Sequence, residues 1–249
     1  MRCQPKLYGL VYNWLKITQH CLLCDEPSDT LLALCSGCET ELPWLGEHCL
    51  ICALPLSSLG TPAALICGEC LQRPPAFDRV EAPWRYAFPL DALITRFKHQ
   101  AKWPLGRLLG ELLAEHLRNA FDEGLPRPDY LLPVPLACQR LRQRGFNQAA
   151  MLARWLGQGL HVPINEDWLQ RIQNTPAQQQ LNAAARHLNL RQAFALAPGA
   201  VVQGLHLALI DDVLTTGATA AALAGLLKNA GAARVDIYCL ARTPKPGDC

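Results

Sequence analysis

Four Cys-x-x-Cys pairs within the first 70 residues constrain the fold of this chain more than any other feature. Eight of the twelve cysteines belong to these pairs, which all have the same spacing. Each pair directs two thiolates toward one point, and two pairs complete the tetrahedral sulfur site that zinc prefers. The segment is therefore predicted to hold two structural zinc ions. The ligands would be Cys21, Cys24, Cys35, Cys38, Cys49, Cys52, Cys67 and Cys70.

The spacing leaves two ways of pairing these turns. Consecutive pairing would give two zinc ribbons, residues 21–38 and 49–70, whose shorter closed loops cost less entropy. A cross-braced arrangement would join the first turn to the third and the second to the fourth. A disulfide framework is disfavoured, because no secretory signal is visible before the cysteines and an ordinary apolar domain follows them. Each structural zinc would contribute on the order of 10 kcal/mol to folding in a segment with few large apolar residues.

Beyond the linker LQRPPAF, strand-like and helix-like patterns alternate to the end of the chain. This order predicts a parallel α/β sheet flanked by helices and joined by right-handed crossovers. Two modules follow: residues 1–74, with a short N-terminal helix and the double zinc ribbon, and residues 75–249, with the α/β domain. Strands are predicted at 79–88, 129–136, 206–210 and 234–242, and helices at 89–100, 105–121, 147–160 and 218–230.

The composition excludes several classes of protein. Half of the residues are hydrophobic, which argues against disorder. The formal net charge of +2 is too small for a chain that binds nucleic acid over its whole surface. The apolar stretch near the N-terminus is interrupted by Asn13 and Lys16, and no apolar run is long enough to span a bilayer. We therefore expect a cytoplasmic protein without membrane insertion.

The stretch LALIDDVLTTGAT, residues 207–219, contains the strongest candidate ligand site. A strand over 206–210 would deliver Asp211 and Asp212 to the carboxyl edge of the sheet, where ligands bind in parallel α/β folds. The carboxylates suit a vicinal diol, with a divalent cation offsetting their paired charge. The following loop and helix N-terminus suit a phosphate, through hydroxyls and backbone N–H groups. The residues predict a ribose 5-phosphate ligand held by Asp211, Asp212, Thr215, Thr216, Gly217, Ala218 and Thr219.

This stretch closely resembles the signature with which type I phosphoribosyltransferases bind 5-phosphoribosyl 1-pyrophosphate (PRPP). The order of motifs along the chain also resembles the ComF/GntX family: four Cys-x-x-Cys units, PLDALITRFK, PVPL, RGFNQ, a Gln/Asn-rich segment and DDVLTTGAT. The resemblance implies a type I phosphoribosyltransferase-like fold for residues 75–249 and binding of PRPP together with Mg²⁺. It also implies a link to competence and to the use of external DNA.

The same resemblance implies roles for residues whose local pattern is less specific. Pro133, Val134 and Pro135 match a pyrophosphate loop, beside which Arg144 would bind the diphosphate. Lys98 matches a family position at the end of a helix. Further matches fall in a segment that would close over the site and exclude water: Arg171, Thr175 and Arg186. Each of these residues also has an explanation without a ligand. Residues 133–135 would form a Pro-rich turn, Lys98 would be an ordinary charge at a helix end, and the others would lie on a polar surface.

Two functions of different classes fit these observations. An enzyme, such as a nucleobase salvage phosphoribosyltransferase, would stabilise an oxocarbenium-like state at the anomeric carbon as pyrophosphate leaves. A binding protein would respond to PRPP without catalysis and handle single-stranded DNA. Residues 134–191 carry seven arginines and only two acidic residues, which suits a phosphate backbone. The zinc module would then contact DNA or a protein of the DNA-uptake machinery.

Overall fold

The computed structural model describes residues 19–56, 65–172 and 192–244. The chain divides into two compact units, Met1–Leu42 and Pro43–Cys249. The first unit contains helix α1 (Ser36–Thr40). The second contains helix α2 (Gly68–Gln72) and all strands of the described residues. The modules 1–74 and 75–249 are defined by sequence pattern, so this division by contacts leaves them as predictions.

A parallel sheet forms the centre of the second unit, as the alternating pattern predicted. The strand order is β1 (Arg79–Glu81), β7 (Arg234–Arg242), β6 (His206–Leu214) and β3 (Tyr130–Pro133). Strand β2 (Trp84–Arg85) pairs with the end of β7. Every pair in this sheet is parallel. The predicted strand 79–88 is two short strands, because Pro83 between them has no N–H for a sheet hydrogen bond.

Helices cover both faces of this sheet. Leu207 and Leu209 share a hydrophobic core with helix α7 (Ala218–Asn229). Side chains alternate along a strand, so Ala208 and Ile210 face the opposite side. There α4 (Trp103–Asp122) and α6 (Gln148–Leu160) pack together. The predicted leucine face of α4 is buried, from Leu105 to Leu117. On this side lie α3 (Leu90–Gln100), α4 and α6.

One helix and one pair of strands beside this sheet were not predicted from the sequence. Helix α5 (Cys138–Arg144) follows β3, and its Arg-rich sequence has no apolar period that would mark it. Strands β4 (Leu169–Arg171) and β5 (Phe194–Leu196) form an antiparallel pair. Within the described ranges, no helix combines the length and the apolar character needed to cross a bilayer.

The second group of paired cysteines packs on the α/β core. Leu45 and Ala53 are buried in the same hydrophobic core as the sheet and α7, and Ile51 and Cys52 pack against it. The main-chain N–H of Leu45 also donates to the Pro83 carbonyl at 2.9 Å. This cysteine segment is therefore part of the packing of the second unit.

Candidate functional site

Strand β6 continues four residues beyond its predicted end. It ends at Leu214 instead of Ile210, because β7 remains paired with it as far as Arg242. On the other edge of β6, β3 ends at Pro133, which is in register with Ile210. Asp211 and Asp212 therefore lie inside the strand, past the last residue of β3. This step between neighbouring strands opens a crevice at the carboxyl edge, where ligands bind in such sheets.

The two carboxylates have different surroundings. Asp212 is 4 % exposed, and its Oδ2 lies 2.7 Å from Nζ of Lys98, at the end of α3. This contact is an ion pair without hydrogen-bond alignment. Asp211 is half-buried, and its Oδ1 accepts the N–H of Asp212 at 2.9 Å. Successive side chains point to opposite faces of a strand, so the two acids approach the crevice from different sides.

Charge and burial shift the pKa values of this group. Burial raises the pKa of Asp211 to about 6, and the positive charge of Lys98 opposes that rise. Burial lowers the pKa of Lys98 to about 8. The negative charge of Asp211 opposes this fall, and repulsion by the positive charges of Arg144 and Arg140 adds to it. Part of the compensation that paired carboxylates need thus comes from Lys98. A divalent cation beside the carboxylates would supply the rest.

We expect Lys98→Met to lower the free energy of unfolding by about 2 kcal/mol at pH 7, because Asp212 would keep a buried charge without its partner. The loss should shrink below pH 6. Without the ammonium, the pKa of Asp211 rises further above its unfolded value. Proton uptake by Asp211 then leaves one negative charge in the acid pair instead of two and relieves the repulsion on Asp212. Denaturant unfolding at pH 5 and pH 7 measures both values.

Lys228→Met is the matched control for this prediction. Lys228 pairs with Asp78 at the same distance, 2.7 Å, but that carboxylate is 39 % exposed. Exposed pairs contribute about 1 kcal/mol or less, so this variant should lose little at either pH. Equal, pH-independent losses in the two variants would contradict the assigned role of the Lys98 pair.

The loop after β6 leads directly into helix α7. Gly217 is the N-cap residue and has φ 74°, a left-handed conformation that favours glycine. The side chain of Thr216 accepts the N–H of Ala218 at 3.4 Å, and Thr215 and Thr216 are exposed. The first N–H groups of a helix have no partner inside it and carry the positive end of its dipole. These groups are suited to an anion, and the phosphate site at this loop stays a prediction.

A basic cleft lies between α3 and α5. Its volume is about 410 Å³, and its lining includes Lys98, Arg140 and Arg144. Arg144 donates a hydrogen bond to Oε1 of Gln148. Burial lowers the pKa of Arg144, and repulsion by Arg140 lowers it further. Because Lys98 also contacts Asp212, this basic cleft adjoins the acid pair.

The RGFNQ segment holds the predicted pyrophosphate loop in place. Asn147 is the N-cap of α6, where its side chain accepts the N–H of Ala149 at 3.1 Å. Its Nδ2 donates to the carbonyl of Val134 at 3.1 Å. Phe146 packs between Phe97 and Trp103, with ring centroids 5.6 and 4.8 Å away. The motif thus ties the carbonyl of Val134, in the middle of the predicted pyrophosphate loop, to the start of α6, and Phe146 packs that start against α3 and α4.

Of the three predicted residues that remain, one lies within the described residues. Arg171 lies on β4, its guanidinium 5.3 Å from the ring centroid of Phe194. Burial lowers the pKa of Arg171, and the charge of Arg140 adds to that effect. Thr175 and Arg186 lie outside the described residues. The structure thus brings Lys98, Asp212 and the Arg144 cleft together, whereas the loop predicted to close over them is not described.

The paired cysteines form two clusters, each of four sulfur ligands that lie within 4.8 Å of one another. Cys24 and Cys35 sulfurs are 3.7 Å apart, as are those of Cys52 and Cys67. Four sulfurs bound to zinc at about 2.3 Å are about 3.8 Å apart, so both clusters fit zinc. The pairing is consecutive, with Cys21, Cys24, Cys35 and Cys38 in one cluster and Cys49, Cys52, Cys67 and Cys70 in the other.

One thiol in each cluster is prepared for deprotonation. Burial raises the pKa of Cys21, but hydrogen bonds from backbone N–H groups, chiefly that of Cys35, lower this pKa to about 6. The N–H of Cys67, which lies 3.3 Å from the Cys49 sulfur, helps to lower the pKa of Cys49 to about 7 in the same way. Burial and neighbouring thiols raise the pKa of Cys52 to about 11. A metal ion is therefore needed to hold all four sulfurs of a cluster as thiolates.

One residue that contacts the site was not predicted from the sequence. Arg242, at the end of β7, is buried, and its Nη1 donates to the Leu214 carbonyl at 3.1 Å. Its Nε donates to the Cys52 carbonyl at 2.9 Å. A signal was available: an arginine ends the predicted strand 234–242 directly after the apolar run from Ile237 to Ala241. Only the register of β6 and β7 shows which carbonyl groups it reaches.

Residues 15–71 match the double zinc ribbon domain. The DNA utilization protein YhgH of Escherichia coli (strain K12) is 38 % identical over 229 residues, covering 90 % of this chain and 96 % of that protein. The protein of the same name from Salmonella typhi is 36 % identical over 225 residues, with the same coverage. Competence protein F of Haemophilus influenzae is 35 % identical over 211 residues, covering 84 % of this chain and 90 % of that protein.

A double zinc ribbon followed by a parallel α/β domain, with a crevice at its carboxyl edge, defines the class of this protein. The chain belongs to the family of DNA utilization and competence proteins. The ComF resemblance predicted from the order of its motifs is thereby confirmed.

Solved phosphoribosyltransferase structures align with part of the chain. A crystal structure of adenine phosphoribosyltransferase has a TM-score of 0.39 and 17 % identity, covering 59 % of this chain and 74 % of that one. Glutamine PRPP amidotransferase from B. subtilis, complexed with ADP and GMP, has a TM-score of 0.37 and 21 % identity, covering 54 % of this chain and 25 % of that one. Because these TM-scores are low, the function is inferred from the residues of the site and not from these alignments.

Proposed function

We propose that the crevice at the carboxyl edge of the sheet binds PRPP together with Mg²⁺. One observation carries the proposal: the partly open edge of β6 presents Asp211 and Asp212, and the Thr/Gly loop and the N-terminus of α7 follow at once. Carboxylates accept the hydroxyls of a diol, and a helix N-terminus with small residues favours a phosphate. A ribose 5-phosphate combines these two chemistries.

Each part of the site would act on one part of the ligand. Residues 215–219 would hold the 5-phosphate with hydroxyl and backbone donors, and the two acids would hold the ribose diol. Arg140 and Arg144 would attract the pyrophosphate group, and Lys98 would add positive charge between it and the acids. Bound Mg²⁺ would neutralise the charge of the pyrophosphate and of the acids. The chain would then support transfer at the anomeric carbon by orientation and charge stabilisation.

Calorimetry with purified protein tests this proposal. We expect Mg·PRPP to bind more tightly than ribose 5-phosphate or Mg·pyrophosphate, because each of these contacts only part of the crevice. Omitting Mg²⁺ should weaken PRPP binding. Pyrophosphate release in the presence of nucleobases or nucleic acids then separates a transferase from a PRPP-responsive binding protein. Equal affinity for PRPP and pyrophosphate would contradict a site that holds the ribose.

The basic cleft favours a second function, the binding of single-stranded DNA. Lys98, Arg140 and Arg144 line one cleft, and aromatic Trp103 is half-exposed beside the RGFNQ segment. Basic grooves with nearby aromatic rings bind single strands through phosphates and base stacking. The relatives are named DNA utilization and competence proteins, and these names support a role in handling DNA. The expectation of a cytoplasmic protein, made from the sequence, would place this role in the cytoplasm. The zinc module would then contact DNA or a protein of the uptake machinery.

If single strands bind in this cleft, their affinity should fall steeply with salt, because each neutralised phosphate releases counterions. Replacing Arg140, Arg142 and Arg144 by glutamine should flatten the log–log salt slope by about two units. Arg154→Gln is the control, since Arg154 pairs with Glu166 at 2.6 Å, away from the cleft-lining residues. Fluorescence anisotropy with a labelled oligonucleotide measures the slope. Salt-independent binding that survives the triple substitution would exclude this surface.

A further inference from the structure

Arg242 joins the second cysteine cluster to the loop of the candidate ligand site. Its side chain is only 7 % exposed at the end of β7. Nε donates to the Cys52 carbonyl at 2.9 Å, and Nη1 donates to the Leu214 carbonyl at 3.1 Å and contacts the carbonyl of Thr215. One planar guanidinium therefore holds main-chain groups that are far apart in sequence.

The groups that it joins belong to two functional parts of the chain. Cys52 is a sulfur ligand of the second cluster. Leu214 is the last residue of β6, and Thr215 is the first residue of the loop before α7. The N–H of Thr243 also donates to the Leu214 carbonyl at 3.1 Å. The end of β7 therefore determines where β6 stops and where the loop begins.

The charge of Arg242 is a reason why the position of its side chain would depend on zinc in the second cluster. Its hydrogen bonds go chiefly to neutral carbonyl groups, and within the described residues it forms no ion pair with a carboxylate. A buried guanidinium without a compensating charge is costly. Four thiolates and one Zn²⁺ carry a net charge of about −2, which attracts a nearby cation strongly in a dry interior. Zinc in the second cluster would therefore stabilise Arg242 in its bridging position.

We propose that Arg242 is a positioning residue that couples metal occupancy of the second cluster to the conformation of residues 214–219. Zinc binding orders the Cys52 turn and attracts Arg242, which then holds the first carbonyls of the loop. Coupling of binding free energies is reciprocal, so a ligand that orders the loop must also raise the affinity of the second cluster for zinc. We expect this higher affinity to be measured as slower zinc release. The ligand half of this inference rests on the proposed function, whereas the zinc half does not.

The experiment combines zinc release with hydrogen exchange on the full chain. A chromogenic chelator reports the release of each zinc, and exchange measured by mass spectrometry reports residues 21–38, 45–56 and 212–220 separately. In wild type, zinc loss from the second cluster should raise exchange in both 45–56 and 212–220. The Arg242→Gln variant should release that zinc about tenfold faster than wild type. Its hydrogen exchange in residues 212–220 should be raised even with zinc bound. The Arg242→Lys variant keeps the charge but not the planar fork, so its zinc-release rate and loop exchange should lie between those of wild type and Arg242→Gln.

Arg85→Gln is the matched control. Arg85 ends the neighbouring strand β2, and its Nε donates to the Trp44 carbonyl at 3.4 Å, but it has no bond to Cys52 or to the loop. It should leave both zinc release and loop exchange unchanged. If Arg242→Gln does not fold, the wild-type comparison with and without zinc still tests the coupling, because it needs no substitution.

The outcomes separate this inference from the proposed function. Loop exchange that ignores zinc in the wild type would overturn the coupling, even if Mg·PRPP binds. Loop exchange that follows zinc in a protein with no affinity for Mg·PRPP would support the coupling and contradict the proposed function. Slower zinc release with Mg·PRPP in wild type, lost in Arg242→Gln, would support both.

Discussion

Replacing Asp211 and Asp212 together by asparagine should lower the affinity for Mg·PRPP at least about a hundredfold, which corresponds to about 2.7 kcal/mol. Asparagine keeps the shape of both side chains but removes the charge that attracts the cation and strengthens hydrogen bonds from the diol. The fold should persist, because asparagine fits the same strand positions and Lys98, being 20 % exposed with a pKa of about 8, can lose its proton. Calorimetry measures the affinity, and circular dichroism checks the fold.

Asp78→Asn is the control for this double substitution. Asp78 also accepts a main-chain N–H, that of Val235 at 2.7 Å, and also pairs with a lysine, but it lies before β1. Its replacement should leave Mg·PRPP affinity unchanged. Unaltered affinity in a folded Asp211→Asn, Asp212→Asn variant would contradict the proposed function.

Substitutions in the two cysteine clusters should have different consequences for the second unit. Cys49→Ser and Cys21→Ser should each reduce zinc from two ions per chain to one, because each cluster needs four thiolates. Cys49→Ser should also destabilise the α/β unit by about 3 kcal/mol, since the segment that contains Ile51, Cys52 and Ala53 packs on its core. For a unit of this size, that corresponds to a fall of roughly 6–12 °C in its melting temperature.

Metal analysis and calorimetric melting of the same samples measure these two effects. Cys21→Ser should leave the melting temperature of the Pro43–Cys249 unit unchanged, because Cys21 belongs to the first unit. Cys138→Ser is the control: Cys138 is exposed and lies outside both clusters. A folded wild-type protein without zinc and with four disulfides would contradict the assignment of both clusters.

The sequence predicted the contiguous part of the candidate site but not the contacts between distant residues. The two acids, the threonine-rich loop and the helix after it are contiguous, so a single stretch predicted them together. Lys98 lies more than a hundred residues before Asp212, and local pattern alone could not show that their charged groups are 2.7 Å apart. Arg242 was missed because its carbonyl partners, from Cys52 to Thr215, meet only when β7 pairs with β6.

By itself, the sequence determined the features that depend on spacing and period. The Cys-x-x-Cys turns determined the kind of metal site, and alternating apolar patterns determined a parallel sheet with its helices. Tertiary structure decided what depends on register and on closing long loops. It decided the consecutive pairing of the cysteines, the extension of β6 to Leu214 and the contact of Lys98 with Asp212. The physical reason is that local propensities and side-chain chemistry act over a few residues, whereas these contacts join segments that only the packed core brings together.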